Sequence, residues 1–280
     1  MVAGDALLRG AALVAAARAL LAEPGAGLLT DVDGTLAPIA PRPELARVDP
    51  RARASLRRLT RRLALVAVLT GRSAAEARRL VGVPGVVYVG NHGLEAVYGR
   101  RRWTHPDAGP ALPLLRATLE ELPRLLRRDD VRYEIKELGA SLHYRGAAAP
   151  AAARAAIVAA LARLPAAKGL RVTEGRQVVE LRLPVAANKG TAAACLIRRH
   201  ALHAALFIGD DRTDLDAMEA LCAARAGGVR ALNVAVASGE TPPAVLAAAD
   251  GVVDGVPEVA ALLAALAAPP GTDRAGPPAG

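Results

Sequence analysis

Aromatic residues and cysteines are scarce in this sequence. Phe, Tyr and Trp together make up 2% of the 280 residues, which leaves few platforms on which nucleic-acid bases could stack. The two cysteines, Cys195 and Cys222, belong to neither a CxxC motif nor a Cys/His cluster. We therefore expect two buried free thiols in a reducing cytosol, and neither a disulfide framework nor a zinc site.

The sequence also lacks an uninterrupted hydrophobic run long enough to cross a membrane. Residues 1–24 are largely apolar, but Asp5, Arg9 and Arg18 interrupt them and no basic segment precedes them. This stretch predicts an amphipathic surface helix. We therefore expect a cytoplasmic protein without a membrane partner.

Lysine is rare among the basic residues, with three Lys in the 36 basic residues that produce a formal net charge of +9. Such a charge can indicate a polyanionic partner. In the densest basic stretch, however, leucines recur at helical spacing on one side and arginines on another, which predicts an amphipathic helix with a solvated arginine face. The leucines are Leu56, Leu59 and Leu63, and the arginines are Arg53, Arg57 and Arg61. We expect no nucleic-acid partner.

Aliphatic residues, in contrast, are abundant and follow an alternating order of strands and helices. Residues 1–105 and 186–268 show a βα rhythm that predicts a parallel sheet covered by helices. Residues 106–185 change to a ββαββ pattern that predicts an inserted α+β domain with an antiparallel sheet. The Pro/Gly-rich residues 269–280 predict a disordered tail. A ligand is expected in the cleft between the two domains.

The apolar strand before Asp31 runs directly into two carboxylates. Asp31 and Asp33 are two residues apart, so in an extended segment they share one face, and Gly34 then permits a tight turn. This position corresponds to the carboxyl end of a parallel strand, where open α/β sheets bind ligands. The alternative is an Asx-type turn that only closes the strand.

A second apolar strand ends in the acidic cluster Asp210, Asp211 and Asp214. Three carboxylates within five residues are costly unless a cation is bound, and a set of oxygen ligands favours Mg²⁺ when the substrate carries a phosphoryl group. The alternative is that these residues only cap the following helix.

Two weaker signals, at Thr70 and Lys189, complete the set of candidate residues for binding a phosphoryl group. Thr70 follows a strand and precedes a helix, where a hydroxyl and free amide groups form an anion site, although capping by Ser73 explains the pattern equally well. Lys189 opens another helix, where its charge opposes the helix dipole and so suggests a fixed anion nearby.

Charged residues of the inserted domain lie in short alternating strands. At one end of a small sheet they would suit a sugar with many hydroxyls, although an ordinary solvated sheet face is the alternative. These residues are Lys136, His143, Arg145, Glu174 and Glu180. Asn91 and His92 follow a core strand and could reach the same cleft.

The order of these motifs resembles that of the haloacid-dehalogenase superfamily. The resemblance implies a Rossmann-like parallel-sheet core with an inserted α+β cap domain. It also implies a nucleophile at Asp31, an acid–base group at Asp33, and phosphate-binding groups at Thr70 and Lys189. Mg²⁺ would then be held by Asp31, Asp210 and the backbone carbonyl of Asp33, with support from Asp211 or Asp214.

Within that superfamily, the sequence most resembles the trehalose-6-phosphate phosphatases. It rests on the segments Asp31 to Ile39, Thr70-Gly71-Arg72, Asn91-His92-Gly93, Lys136 with Ser141 and His143-Tyr144-Arg145, Glu174-Gly175-Arg176 with Glu180, and Asp210 to Asp214. The resemblance implies hydrolysis of trehalose 6-phosphate and functional coupling to a trehalose-phosphate synthase. The substrate contacts would come from Arg72, Asn91, His92, Lys136, His143, Arg145, Glu174, Arg176 and Glu180.

Three positions depart from that family's pattern. Asn188 stands where the family usually has Asp, and Leu215 stands where it commonly has an acidic residue. The family's Arg-Pro after Glu-Leu is stretched here to Arg182-Leu183-Pro184. These departures concern fine positioning and not the chemistry. A phosphatase for another sugar phosphate, such as sucrose-phosphate or mannosylglycerate-phosphate, is the nearest alternative, although the matching segments of the inserted domain argue against it. A catalytically silent sugar-phosphate sensor is a second.

Overall fold

The computed structural model of the chain describes residues 7–175 and 177–269. The strands in these residues are β1 (Ala26–Thr30), β2 (Leu65–Leu69), β3 (Val87–Gly90), β4 (Glu95–Tyr98), β5 (Arg101–Thr104), β6 (Arg132–Lys136), β7 (Gly139–His143), β8 (Arg171–Gly175), β9 (Val178–Arg182), β10 (Ala204–Gly209), β11 (Arg230–Ala237) and β12 (Gly251–Asp254). The α-helices are α1 (Gly10–Leu21), α2 (Pro50–Leu59), α3 (Ala74–Val81), α4 (Ala108–Leu126), α5 (Pro150–Ala162), α6 (Lys189–Arg199), α7 (Leu215–Ala226), α8 (Pro243–Ala247) and α9 (Gly255–Ala267). None of these helices has both the length and the apolar character that a membrane span requires.

The larger sheet has eight strands in the order β12-β11-β10-β1-β2-β3-β4-β5. The strands from β12 to β3 are parallel, and β4 and β5 add an antiparallel hairpin at one edge. The mixed α/β fold with a mainly parallel sheet is therefore confirmed.

Helices cover both faces of this sheet, which explains why its central strands are apolar on both sides. Leu28 and Ile208 face the core under α1, α2 and α9, whereas Leu29 and Phe207 face the core under α6 and α7. The buried strands β1 and β10 can therefore run straight to the cleft and end there in polar residues.

The predicted N-terminal amphipathic helix is confirmed as α1. It buries Leu13, Ala17 and Leu20, at helical spacing, against the larger sheet and α9. These contacts make α1 part of the wall of the α/β core.

The predicted helix with an arginine face is confirmed as α2, but it ends at Leu59, so that Arg61 and Leu63 lie beyond it. One of its arginines also has a different role. Leu56 and Leu59 are buried as expected. Arg53, expected in solvent, donates hydrogen bonds to the carbonyls of Leu80 and Val81 at the end of α3. These carbonyls lack partners within their own helix, so Arg53 satisfies them.

The smaller sheet is antiparallel, with the order β6-β7-β9-β8. One of its faces packs against α4 and α5 through Leu142, Val179 and Leu181, and the predicted ββαββ order is confirmed. The opposite face of the sheet borders a cleft.

Some of the sequence-based predictions differ from the structure or lie outside it. Cys195 and Cys222 are free thiols as expected, but they are exposed and not buried, because they lie on the outer sides of α6 and α7. Residues 270–280 of the predicted tail, and Arg176, lie outside the described residues.

Candidate active site

The site lies at the carboxyl ends of β1 and β10, which are neighbours in the larger sheet. Asp31 directly follows β1 and Asp210 directly follows β10, and the amide of Asp31 donates to the carbonyl of Ile208 at 2.9 Å. Because parallel strands end at the same edge of a sheet, residues far apart in sequence meet here.

Asp31, Asp210 and Asp214 form a buried carboxylate cluster in which one oxygen from each lies within 4.8 Å of the others. The ammonium group of Lys189, also buried, donates to Asp31 at 2.8 Å and to Asp214 at 2.7 Å. Burial alone would lower the pKa of Lys189, but the carboxylates of Asp214 and Asp31 outweigh it and raise that pKa above its ordinary value. Lys189 is therefore a permanent cation at the start of α6.

The cluster has the composition of a site for a hard divalent cation. Three buried carboxylates face one lysine, so the site carries excess negative charge. Burial, together with the nearby charges of Asp214 and Asp210, raises the pKa of Asp31 well above its usual range, although Lys189 acts in the opposite direction. A further cation would relieve this repulsion, and oxygen donors are the ligands that Mg²⁺ prefers. The residues present fit such an ion.

Asp214 binds Lys189 and also closes the short turn that precedes α7, but its side chain makes no capping bond to α7 itself. Its Oδ1 accepts from Lys189, and its Oδ2 accepts from the amides of Asp210 and Asp211, at 3.0 Å each. Asp214 therefore fixes the turn that presents Asp210. Asp211 is only half-buried, lines the cleft and is not a member of the three-carboxylate group.

The Asp33 carboxylate is directed to Arg72. The guanidinium donates to its two oxygens at 2.7 and 2.6 Å, and a third nitrogen donates to the carbonyl of Pro43 at 3.0 Å. Arg72 was predicted to contact the substrate, yet all three of these bonds are made to the protein. It positions Asp33 at the edge of the cleft.

Thr70 directly follows β2 and lines the cleft, where it is almost completely buried. Its Oγ1 accepts from the amide of Arg72 at 3.2 Å. Ser73 caps α3 in a reciprocal arrangement with Glu76, so the capping interpretation is right for Ser73. Of Thr70 and Ser73, it is Thr70 that lines the cleft.

Asn91 and His92 form a left-handed turn, with φ of 46° and 55°. The Asn91 amide donates at 2.7 Å to the buried carboxylate of Glu95, which also accepts from the amide of Ala74 at 3.0 Å. The structure therefore turns the Asn91 side chain toward the protein interior. Sequence reasoning assigned no role to Glu95, because its burial depends on the hairpin packing against the start of α3.

Gly90 is required by the same packing. A Cβ atom at this position would lie 2.1 Å from the amide nitrogen of Ala74. Because that neighbour is backbone, it cannot move aside cheaply. The strand β3 and helix α3 can approach this closely only at a glycine.

His92 and Glu180 join the two sheets across the cleft. The Nε2 atom of His92 lies 3.0 Å from a carboxylate oxygen of Glu180. Burial lowers the pKa of His92 despite the neighbouring Glu180. Burial opposes ionisation of Glu180 as well, but His92, Lys136 and Arg182 hold its pKa at about 2. Glu180 is therefore ionised at neutral pH.

Lys136 and His143 lie on the cleft side of the smaller sheet. Lys136 donates to the carbonyl of Gly71 at 3.0 Å and to the hydroxyl of Ser141 at 3.1 Å, while His143 lies 2.7 Å from the carboxylate of Glu134. Sequence reasoning missed Glu134. Glu134 is two residues from Lys136 on β6, so the two side chains lie on the same face of the strand, and this spacing could have indicated Glu134.

Arg145 and Glu174 differ in where their charges point. Arg145 lies 3.5 Å from Glu240, which belongs to the loop after β11, so this pair crosses the mouth of the cleft. The Glu174 carboxylate binds Arg154 of α5 at 2.6 and 2.8 Å. Glu174 contributes to the lining of the cleft, but it is paired with the buried Val179 in the sheet register, and its carboxylate is directed to the helix side.

These residues enclose one large cavity of about 870 Å³ in the described part of the chain. A cleft of this size accommodates a drug-sized or larger polar ligand. Several lining residues were not singled out from the sequence: Arg171, Thr173, Arg182, Arg212 and Asp216. The first three alternate with apolar residues on β8 and β9, which is the signal that could have identified them.

The fold first defines a class. The structure is similar to that of a haloacid dehalogenase-like hydrolase from Bacteroides thetaiotaomicron, with a TM-score of 0.62, 15% identity, and coverage of 86% of this chain and 98% of that one. It is also similar to the C-terminal domain of C. albicans trehalose-6-phosphate phosphatase, with a TM-score of 0.73, 20% identity, and coverage of 94% and 99%. At these identities the likeness shows the fold, which is that of the haloacid-dehalogenase-like hydrolases.

The amino-acid sequence then narrows the class to a family. The sequence profile described as trehalose-phosphatase matches residues 29–248, and the chain belongs to that family. One relative, the trehalose-phosphate phosphatase of Mycobacterium avium, is 39% identical over 215 residues, which cover 74% of this chain and 53% of that protein. The chain spans about half the length of the curated relatives that it matches.

Proposed function

We propose that this chain hydrolyses trehalose 6-phosphate to trehalose and inorganic phosphate through an aspartyl-phosphate on Asp31. The observation that carries the proposal is the buried cluster of Asp31, Asp210, Asp214 and Lys189, in a chain of the trehalose-phosphatase family. Asp31 and Lys189 of this cluster line the cleft. Such a cluster suits binding and transfer of a phosphoryl group.

The chain would be divided into a catalytic core of residues 1–105 and 186–268 and a cap of residues 106–185. Support comes from the two separate sheets and from the contacts that join them, His92 with Glu180 and Lys136 with Gly71. The cap would cover the sugar and exclude bulk water during the reaction.

Mg²⁺ would be held by Asp31, Asp210 and the backbone carbonyl of Asp33. Of the two assisting candidates, Asp214 is favoured over Asp211 because it belongs to the buried cluster. When bound, the ion would neutralise charge on the phosphoryl oxygens and on Asp31. The excess of carboxylates over lysine supports this assignment.

In the first step, a carboxylate oxygen of Asp31 attacks phosphorus and the bond from phosphorus to the sugar oxygen breaks. Asp33 delivers its proton to that departing oxygen. The Thr70 hydroxyl and the Lys189 ammonium bind the non-bridging oxygens of the transferring group, where charge stabilisation contributes most to the rate.

In the second step, water attacks the same phosphorus and Asp33 accepts the proton of that water. The bond from phosphorus to the Asp31 oxygen breaks, which releases inorganic phosphate and regenerates the carboxylate. The positions of Asp31 and Lys189, 2.8 Å apart, are compatible with both steps.

Specificity for the sugar would come from the charged residues on the cleft side of the smaller sheet. Lys136, His143, Arg145 and Glu180 line the cleft together with His92, and each offers a charged or polar atom to a hydroxyl. Arg72, Asn91 and Glu174 bind the protein instead, so we favour positioning roles for them. A cytoplasmic location and coupling to a trehalose-phosphate synthase remain part of this proposal.

The proposal is tested by phosphate release with Mg²⁺ from trehalose 6-phosphate, sucrose 6-phosphate, mannosylglycerate phosphate and glucose 6-phosphate. We expect the highest kcat/KM with trehalose 6-phosphate, and no turnover in Asp31→Asn, because an amide cannot act as the nucleophile. A higher kcat/KM with another of these compounds would mean that the substrate is that sugar phosphate and not trehalose 6-phosphate. Binding of trehalose 6-phosphate without phosphate release would indicate a sensor.

A further inference from the structure

Thr173 occupies a position in the cleft that no sequence motif indicated. It lies in the middle of β8, at the edge of the smaller sheet, and it is paired directly with Glu180 of β9. Residues that face each other in an antiparallel pair project to the same side of the sheet. The Thr173 side chain therefore shares the cleft face with Glu180 and lines the cavity.

The Thr173 hydroxyl is buried and has no hydrogen-bond partner among residues 7–175 and 177–269. A buried hydroxyl without a partner costs free energy, whereas Val would keep the same branched shape in the strand without that cost. Nothing in the fold of this strand therefore requires a hydroxyl. A partner that enters the cavity from outside the chain would supply the missing bond.

The surroundings of Thr173 indicate what kind of partner this is. Glu180 and Arg171 lie on the same face of the sheet, so charges of both signs are already present beside the hydroxyl. A threonine hydroxyl has one donor and two acceptor sites, which match the hydroxyl of a sugar. All members of the carboxylate cluster lie outside this sheet, so the phosphoryl group has its own separate contacts.

We infer that Thr173 binds a hydroxyl of the sugar and is a specificity-determining residue. This inference rests on the proposed function, since it takes trehalose 6-phosphate as the substrate. Thr173 acts on the sugar half of the ligand and leaves the chemistry at Asp31 unchanged.

The test compares Thr173→Val with Thr173→Ser and with Thr104→Val. Thr104 is an exposed residue of strand β5 outside the cavity, so it provides the same chemical change as a control. We expect Thr173→Val to lower kcat/KM for trehalose 6-phosphate by about 2- to 13-fold, the range for one neutral hydrogen bond. Hydrolysis of p-nitrophenyl phosphate should stay within twofold, and Thr173→Ser and Thr104→Val should match the unsubstituted protein on both substrates.

Two further measurements separate a ligand contact from a structural role. Calorimetric titration with trehalose should show weaker binding to Thr173→Val in proportion to the loss in kcat/KM. The melting temperature of the ligand-free Thr173→Val protein should be unchanged or higher, because the substitution removes an unsatisfied buried group.

The inference would be overturned by unchanged kcat/KM for trehalose 6-phosphate in Thr173→Val, by an equal loss on both substrates, or by a lower melting temperature or failure to fold. Each of these results leaves the proposed function standing if the unsubstituted protein hydrolyses trehalose 6-phosphate. If it does not, the proposed function fails, and trehalose titration alone decides whether Thr173 binds sugar.

Discussion

The Asp33 carboxylate is held by Arg72 through two hydrogen bonds. The flat guanidinium fixes both carboxylate oxygens at once, which the single ammonium of a lysine cannot do. We expect Arg72→Lys to lower kcat for trehalose 6-phosphate about 10- to 100-fold, the effect of one lost charged hydrogen bond. Steady-state kinetics measures it, and KM should change little because the guanidinium binds protein.

A double substitution tests whether Arg72 acts through Asp33. Asp33→Asn alone should lower kcat by about 10²- to 10⁴-fold. Adding Arg72→Lys to it should cause no further loss, because the carboxylate that Arg72 positions is already gone. Arg53→Lys, at an arginine that bonds only carbonyls away from the cleft, is the control. Additive losses, or a large rise in KM, would show that Arg72 contacts the substrate as the sequence suggested.

Strands β6 and β7 carry a small charge network around Glu134. Burial disfavours its ionised form, but His143 and Lys136 hold the pKa of Glu134 at about 2, below its ordinary value of 4.5. A carboxylate with a lowered pKa contributes stability above pH 4.5, and this contribution is lost as the pH falls toward 2. The sheet should therefore become less stable in acid.

We expect Glu134→Gln to lower the free energy of unfolding by about 1–3 kcal/mol at pH 7 and by almost nothing near pH 2. Urea unfolding in EDTA, followed by circular dichroism at both pH values, measures the difference without interference from metal release. Glu137→Gln, in the exposed turn between β6 and β7, is the control and should have no effect at either pH. A loss of stability that is independent of pH would mean that packing and not charge explains the role of Glu134.

At the scale of the whole molecule, three carboxylates are buried together at the carboxyl ends of β1 and β10, beside the cleft. Because these groups repel one another when folded, a cation that binds only the folded chain should stabilise it. At a Mg²⁺ concentration about one hundred times Kd, the free energy of unfolding should rise by about 2.7 kcal/mol. This corresponds to a rise in Tm of about 5–10 °C. Differential scanning calorimetry with Mg²⁺ and with EDTA measures this shift.

Asp210→Asn should reduce the Mg²⁺-dependent shift, since it removes one of the clustered charges. Asp129→Asn, at an exposed aspartate outside the cleft, should keep the full shift. The same Tm in Mg²⁺ and EDTA, or an unchanged shift in Asp210→Asn, would contradict a metal site at the cluster.

Local patterns in the sequence determined the fold class and the residues at the floor of the cleft. Asp31, Thr70 and Asp210 each follow an apolar strand, and Lys189 opens a helix. Parallel neighbouring strands must end at one edge of the sheet, so residues placed just after them converge without any long-range information. This is why the sequence alone predicted that Asp31, Thr70 and Asp210 lie at the same edge of the sheet.

The tertiary structure decided which charged residues pair within the protein and where each side chain lies relative to the cleft. Arg72 pairs with Asp33 across 39 positions and His92 with Glu180 across 88, and no local pattern encodes such distances. Glu174 matched a motif, but the register of β8 and β9 turned it toward Arg154 and left Thr173 facing the cleft. In an antiparallel pair a shift of one residue exchanges the two faces of a strand, and only the packing of the smaller sheet on α4 and α5 selects which face is buried.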